Sequence, residues 1–142
     1  MNSAAKLNEL EIPAPLDVLM RRNDWAGKRT HDAWLSRFGY PSSEFVEFCG
    51  LDHLQRENGN IRSLELRLLC GAPNPECPPG DFEPTRGFLI GFTDLADDAI
   101  CVDFRSAAGP SIIYYSPQTY GFVTAFETLE AFKAHYESVH GA

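Results

Sequence analysis

Four aspartates, Asp94, Asp97, Asp98 and Asp103, fall within GFTDLADDAICVDFR, residues 91–105. Carboxylates gathered this closely can hold a metal, share acid–base work or meet a cationic partner. The spacing argues against a calcium loop, which needs alternating oxygen ligands, a glycine at its sharp turn and a glutamate in twelfth place. DLADDAICVDF has no glycine and runs into an apolar strand. Metal-dependent hydrolysis on the Asp94–Asp103 cluster would need a second carboxylate brought in from elsewhere, such as Asp81 or Glu83 in a proline-rich loop. No motif pairs them. The plainer expectation is that Asp97 or Asp98 shapes a turn by bonding its own backbone, as Asx residues do. Asp103 and Arg105, two apart on one strand face, are then expected to pair.

Other chemistry has little footing. There is no G-x-S-x-G, and Ser111 in GPSII sits on an ordinary strand. There is no phosphate loop or dinucleotide fingerprint. His135 and His140 are five apart, so they do not stack as the i, i+4 ligands of a zinc helix would, and His135 is expected on the surface of the last helix. Cys49, Cys70, Cys77 and Cys101 form no C-x-x-C pair, which argues against zinc, although Cys70 and Cys77 could bridge in an exported protein. The expectation is therefore no catalytic residue, no metal and no cofactor.

Charge points to a kind of partner. Residues 1–40 carry six Lys/Arg and five Asp/Glu, while residues 41–142 carry six and fifteen, for a net −9. Such a body repels nucleic-acid phosphates and suits a basic protein. Tyr114, Tyr115 and Tyr120 lie close to the aspartates in sequence. Aromatic anchors beside Asp94, Asp97 and Asp98 would supply buried area and electrostatic steering for such a partner. No apolar run approaches a membrane span, and the first residues lack a signal peptide's apolar stretch, so a cytoplasmic location is expected.

The elements that must position these residues are readable in outline. Residues 1–12 read as a loose leader, followed by one domain over 13–142. Proline suits a first helical turn, so Pro13 and Pro15 open a helix in PLDVLMRRNDW. THDAWLSRFG reads as a second helix capped by Thr30, with Trp34, Leu35 and Phe38 on its apolar face. EFVEFCG is a short strand, and LDHLQRENGN a helical turn that closes on Asn-Gly. SLELRLLC alternates as a half-buried strand. Five prolines in residues 71–86 leave no regular element there. GFLIGF, AICVDF, SIIYY and FVTAF then read as a meander, with Ile100, Val102 and Phe104 on one face and Cys101 and Asp103 on the other. Thr124 and Glu127 fit a capping box, and Ala125, Leu129, Phe132, Tyr136 and Val139 form one apolar helical stripe. Short turns favour antiparallel pairing, so the class is α+β: a curved, mainly antiparallel sheet packed against N-terminal helices and a C-terminal helix.

The order GFLIGFTDLADDAICVDFR, GPSIIYY and FVTAFETLEAFKAHY resembles the SUKH superfamily, the Smi/Knr cell-wall-regulator-like proteins. Residues 89–92, 94–98, 102–105, 109–115 and 125–132 carry the resemblance, best over 87–136. It implies an α+β domain without enzyme activity. Many bacterial relatives are immunity proteins of polymorphic toxin systems that bind and neutralise a toxin, often a nuclease; others are regulatory interaction modules. No binding residue carries over from the resemblance.

Overall fold

In a computed structural model of the chain, the residues described are 6–7, 9–38, 45–63, 72–93, 98–116, 119 and 121–142, with the backbone alone considered at 59–63 and 98. Of the expected strand SLELRLLC, residues 63–70, all but Ser63 therefore lies outside the described residues. The elements in chain order are β1 (Lys6–Leu7), β2 (Leu10–Glu11), α1 (Ala14–Met20), β3 (Gly27–Arg29), α2 (Asp32–Leu35), β4 (Val46–Phe48), α3 (Leu51–Ser63), β5 (Pro79–Gly80), β6 (Gly87–Thr93), β7 (Asp98–Asp103), β8 (Ser111–Ser116), β9 (Gly121–Phe126) and α4 (Leu129–His140). Seven strands form one sheet in the order β3-β4-β6-β7-β8-β9-β5, every pair antiparallel. The architecture is α+β.

Alternation along the central strands decides what each face of the sheet buries. Phe88, Ile90, Ile100, Val102, Ile112 and Phe126 point to a helical face. There they meet Leu16 and Leu19 of α1, Trp34 of α2, Leu54 of α3, and Leu129, Phe132 and Tyr136 of α4. Leu89, Cys101, Ile113 and Phe122 point the other way and join Phe82 in a second, smaller cluster. With both faces covered, β6 reads as an almost unbroken apolar run rather than an alternating one. Bulges at Leu89/Gly91 and Ile112/Ile113 bend the sheet.

Several local expectations give way to tertiary structure. Residues 6–7 and 9–12 are not a loose leader: β1 pairs with β2, and Leu7 and Ile12 are buried in the main core. The cap of α2 is His31, whose Nδ1 accepts from Ala33 N at 3.0 Å, rather than Thr30. Helix α3 runs through Asn58 and Gly59 instead of turning there. Asn58 is buried because β6 needs it. Its Oδ1 accepts from Leu89 N at 2.7 Å and its Nδ2 donates to Leu89 O at 3.1 Å, so one side chain stands in for a neighbouring strand. Thr124 lies within β9, and α4 is capped four residues later by Thr128, whose hydroxyl accepts from Ala131 N at 3.0 Å.

The proline-rich loop holds more order than its composition implies. Asn74 Oδ1 accepts from Glu76 N and Cys77 N, and Asn74 N donates to Pro79 O. Pro79 and Gly80 pair with β9 as the last strand of the sheet. Gly80 has φ +80°, and a Cβ there would collide with Ala72 O and Asn74 N, so glycine is required on both counts.

Candidate functional site

Where β7 ends and β8 begins, the second sheet face gives way from apolar to polar side chains. Asp103 and Ser111 are cross-strand partners, and Thr124 stands beside them on β9, opposite Ile113. These three form the floor of a groove of about 640 Å³. Pro73, Pro78, Pro79 and Asp81 of the proline-rich loop make one wall, and Glu127 and Thr128 at the entry to α4 line it as well. Its size lies within the range of about 300–1,000 Å³ typical of ligand-binding clefts.

Arg105 locks this arrangement. Its Nε donates to Asp103 Oδ1 at 2.9 Å and its Nη2 to Asp103 Oδ2 at 3.3 Å. Its Nη1 donates to Asp81 Oδ1 at 2.9 Å, and Nη2 to Asp81 O at 2.7 Å. One planar guanidinium thus staples the loop to the end of β7, a task for which its forked donors are suited. Burial pulls the Arg105 pKa down, but the hydrogen bonds to Asp103 and Asp81 outweigh it, and the value lies above the ordinary arginine value. The anticipated Asp103–Arg105 pair is present. Asp81 does come near Asp103, but with an arginine seated between them. That arginine takes up lone pairs a general base would need, so the geometry favours a structural clamp over two-carboxylate chemistry.

Of the six expected partner-binding residues, the structure describes the backbone of Asp98 and the whole of Tyr114 and Tyr115. Asp94, Asp97 and Tyr120 lie outside the described residues. Asp98 begins β7, paired with Thr93, at the opposite end of that strand from Asp103. Tyr114 and Tyr115 are both half-buried and point to opposite sheet faces. Tyr114 packs edge-on against Phe38 at 5.6 Å, and Tyr115 against Phe122 at 5.7 Å. Sequence reasoning gives Ser111 no role in a site. The available signal was a hydroxyl placed opposite an aspartate in a strand whose neighbours are all apolar.

A second polar network sits on the helical side and serves the core. Arg29 is buried. It donates to Gly27 O at 2.7 Å, to Asp24 O, and to Tyr136 Oη at 2.9 Å, and its guanidinium lies over the Phe48 ring. Tyr136 Oη in turn donates to Asp24 Oδ1 at 2.8 Å. Burial, with help from Asp24, pushes the Tyr136 hydroxyl up to about 12. The Arg22 guanidinium holds the Asp24 carboxyl below its ordinary value. His140 Nε2 accepts from Trp34 Nε1 at 2.8 Å, which fixes the ring as neutral, and burial lowers its pKa. His135 is not a free surface residue. It is half-buried against Trp34, its Nε2 lies 2.8 Å from Ala33 O, and burial lowers its pKa as well.

Among the described residues, no group of three or more His, Cys, Asp or Glu side chains is placed to hold a metal ion. No helix among them is long and apolar enough to cross a membrane. Cys49 is buried, which pushes its thiol up to about 12 and leaves it unreactive. Comparison with known proteins finds no matching family model, no matching curated protein and no matching solved structure.

Proposed function

We propose that this chain is a protein-binding domain without catalytic activity, acting as an immunity protein of the SUKH type that binds and neutralises a basic toxin domain in the cytoplasm. The observation that carries this reading is the concentration of negative charge, a net −9 over residues 41–142, together with a groove in which three carboxylates face one arginine. An acidic surface raises the encounter rate with a basic partner and disfavours nucleic acid. The sequence resemblance over residues 87–136 supports the same class. A regulatory module with another basic partner would share this surface and differ only in what it binds.

The test is the reading frame beside the gene. A toxin encoded there, whose growth arrest is relieved by coexpression of this chain in equimolar complex, supports the reading. Growth arrest that coexpression leaves unrelieved overturns it, and so does a neighbourhood without any toxin.

A further inference from the structure

We infer that the groove between β8 and the proline-rich loop is the docking site for a single cationic side chain, a lysine or arginine presented by an extended segment of a basic partner. This deepens the protein-binding reading and rests on it.

Charge is the first argument. Asp81, Asp103 and Glu127 line the groove against one cation, Arg105. Arg105 makes four hydrogen bonds to Asp81 and Asp103, so it has little left to offer an anion. Asp81 Oδ2 has no such bond among the described residues, and Glu127 is exposed. The excess charge that an occupant meets is therefore negative.

Ser111 is the second, independent argument. It is only 6% exposed, it lines the groove, and its hydroxyl has no hydrogen-bond partner among the described residues. A buried polar group without a partner is costly and uncommon in folded proteins. The Ser111 hydroxyl can accept from an ammonium or guanidinium lying between Asp103 and Glu127. The proline wall offers apolar surface to the aliphatic stem behind that charged head.

The mode of docking follows from the edge. β5 is the last strand of the sheet, and Pro79 there, like Pro78 before it, has no N–H to donate. A partner strand cannot extend the sheet on that side by a regular ladder. Recognition has to come through a side chain inserted into the groove.

The experiment is an amide-shift titration of the full chain with blocked alanyl-arginyl-alanine and alanyl-lysyl-alanine peptides, using the norleucine peptide as uncharged control. Saturable shifts confined to residues 79–81, 103–111 and 124–128, half-complete at about 1 mM and weakened by salt, are expected. Ser111→Ala and Glu127→Gln should each weaken binding by about ten-fold, the loss of one hydrogen bond to a charged group. Ser111→Ala should at the same time leave Tm unchanged or raise it, because the hydroxyl has no partner among the described residues. A fall in Tm with affinity retained overturns the proposal. So do equal shifts with the norleucine peptide, or shifts centred elsewhere. If the cationic peptides bind the groove but coexpression relieves no toxin, the immunity reading falls and the groove stands. If coexpression relieves the toxin and both variants protect as well as the parent, the groove alone falls.

Discussion

On the helical face of the sheet, Trp25 stacks on Phe48 with centroids 4.7 Å apart, and Trp34 meets Phe48, Phe132 and Tyr136 edge to face at 5.1–5.9 Å. On the opposite face, five buried side chains from Phe82 to Phe122 give way within one strand length to Asp103, Arg105 and a Ser111 hydroxyl without a partner among the described residues. The first face is aromatic, and its polar groups bond one another, as Arg29, Tyr136 and Asp24 do. The second leaves, among the described residues, a charge excess and an unused hydroxyl in a cleft. Aromatic packing of the first kind stabilises a fold, whereas unpaired polar groups in a cleft cost stability and are the mark of a surface that binds.

That contrast can be broken most forcefully at Trp34. It is fully buried and touches Phe38, Phe48, Phe132, His135, Tyr136 and His140. Trp34→Ala should cost about 3–5 kcal/mol, read as a lower urea midpoint with loss of the near-ultraviolet signal. A cost under about 1 kcal/mol would show that the aromatic cluster does not hold the fold together.

Arg105→Ala should act on the other face alone. Removing the clamp leaves Asp103 buried without its partner, a loss of about 1–3 kcal/mol. Residues 72–86 should become the first site of proteolysis while the tryptophan signal persists. If the tryptophan environment changes equally, the two faces are not independent.

The smallest effect is a pH dependence confined to the helical side. The pKa values of His135 and His140 are both lowered by burial. The folded chain therefore refuses protons that the unfolded chain accepts, and stability held above about pH 6.5 declines as pH falls through the depressed values. Tm measured from about pH 7.5 to 5.5 should fall in the parent and in Arg105→Ala alike. It should flatten in a His135→Gln, His140→Gln double variant, in which the amide oxygen introduced at position 140 can still accept from Trp34. An unchanged slope in that variant would place the titrating groups elsewhere.

The meander was legible in the sequence because its strands alternate between Ile100, Val102 and Phe104 on one side and Cys101 and Asp103 on the other. The structure keeps that division. Local signals failed where a distant element had a stronger claim on the same residues. Thr124 and Glu127 spell a capping box, but pairing of β9 with β8 as far as Ile112–Phe126 holds Thr124 in the sheet, and Thr128 caps the helix instead. Asn58-Gly59 spells a turn, but the Asn58 amide is used on the backbone of Leu89, thirty-one residues away. The candidate site was legible only in part. The Asp103–Arg105 pair follows from strand periodicity, whereas the approach of Asp81 depends on how the proline-rich loop folds back, which no local pattern records. Asp94, Asp97 and Asp98 are the conspicuous aspartates of the sequence, whereas Asp103, at the far end of β7, is the one of that stretch found lining the groove, beside Asp81 and Glu127.

Helix α1 packs on α4, Tyr136 reaches Asp24 across 112 positions, and Trp34 reaches His140 across 106. During synthesis the first tryptophans therefore emerge long before the rings that cover them. Vectorial folding from the N-terminus, open to many domains, offers little here, because the main core cannot close until the last helix has left the ribosome. Until then Trp25 and Trp34 are exposed apolar surface on a nascent chain, and protection by a chaperone has its greatest value in that interval.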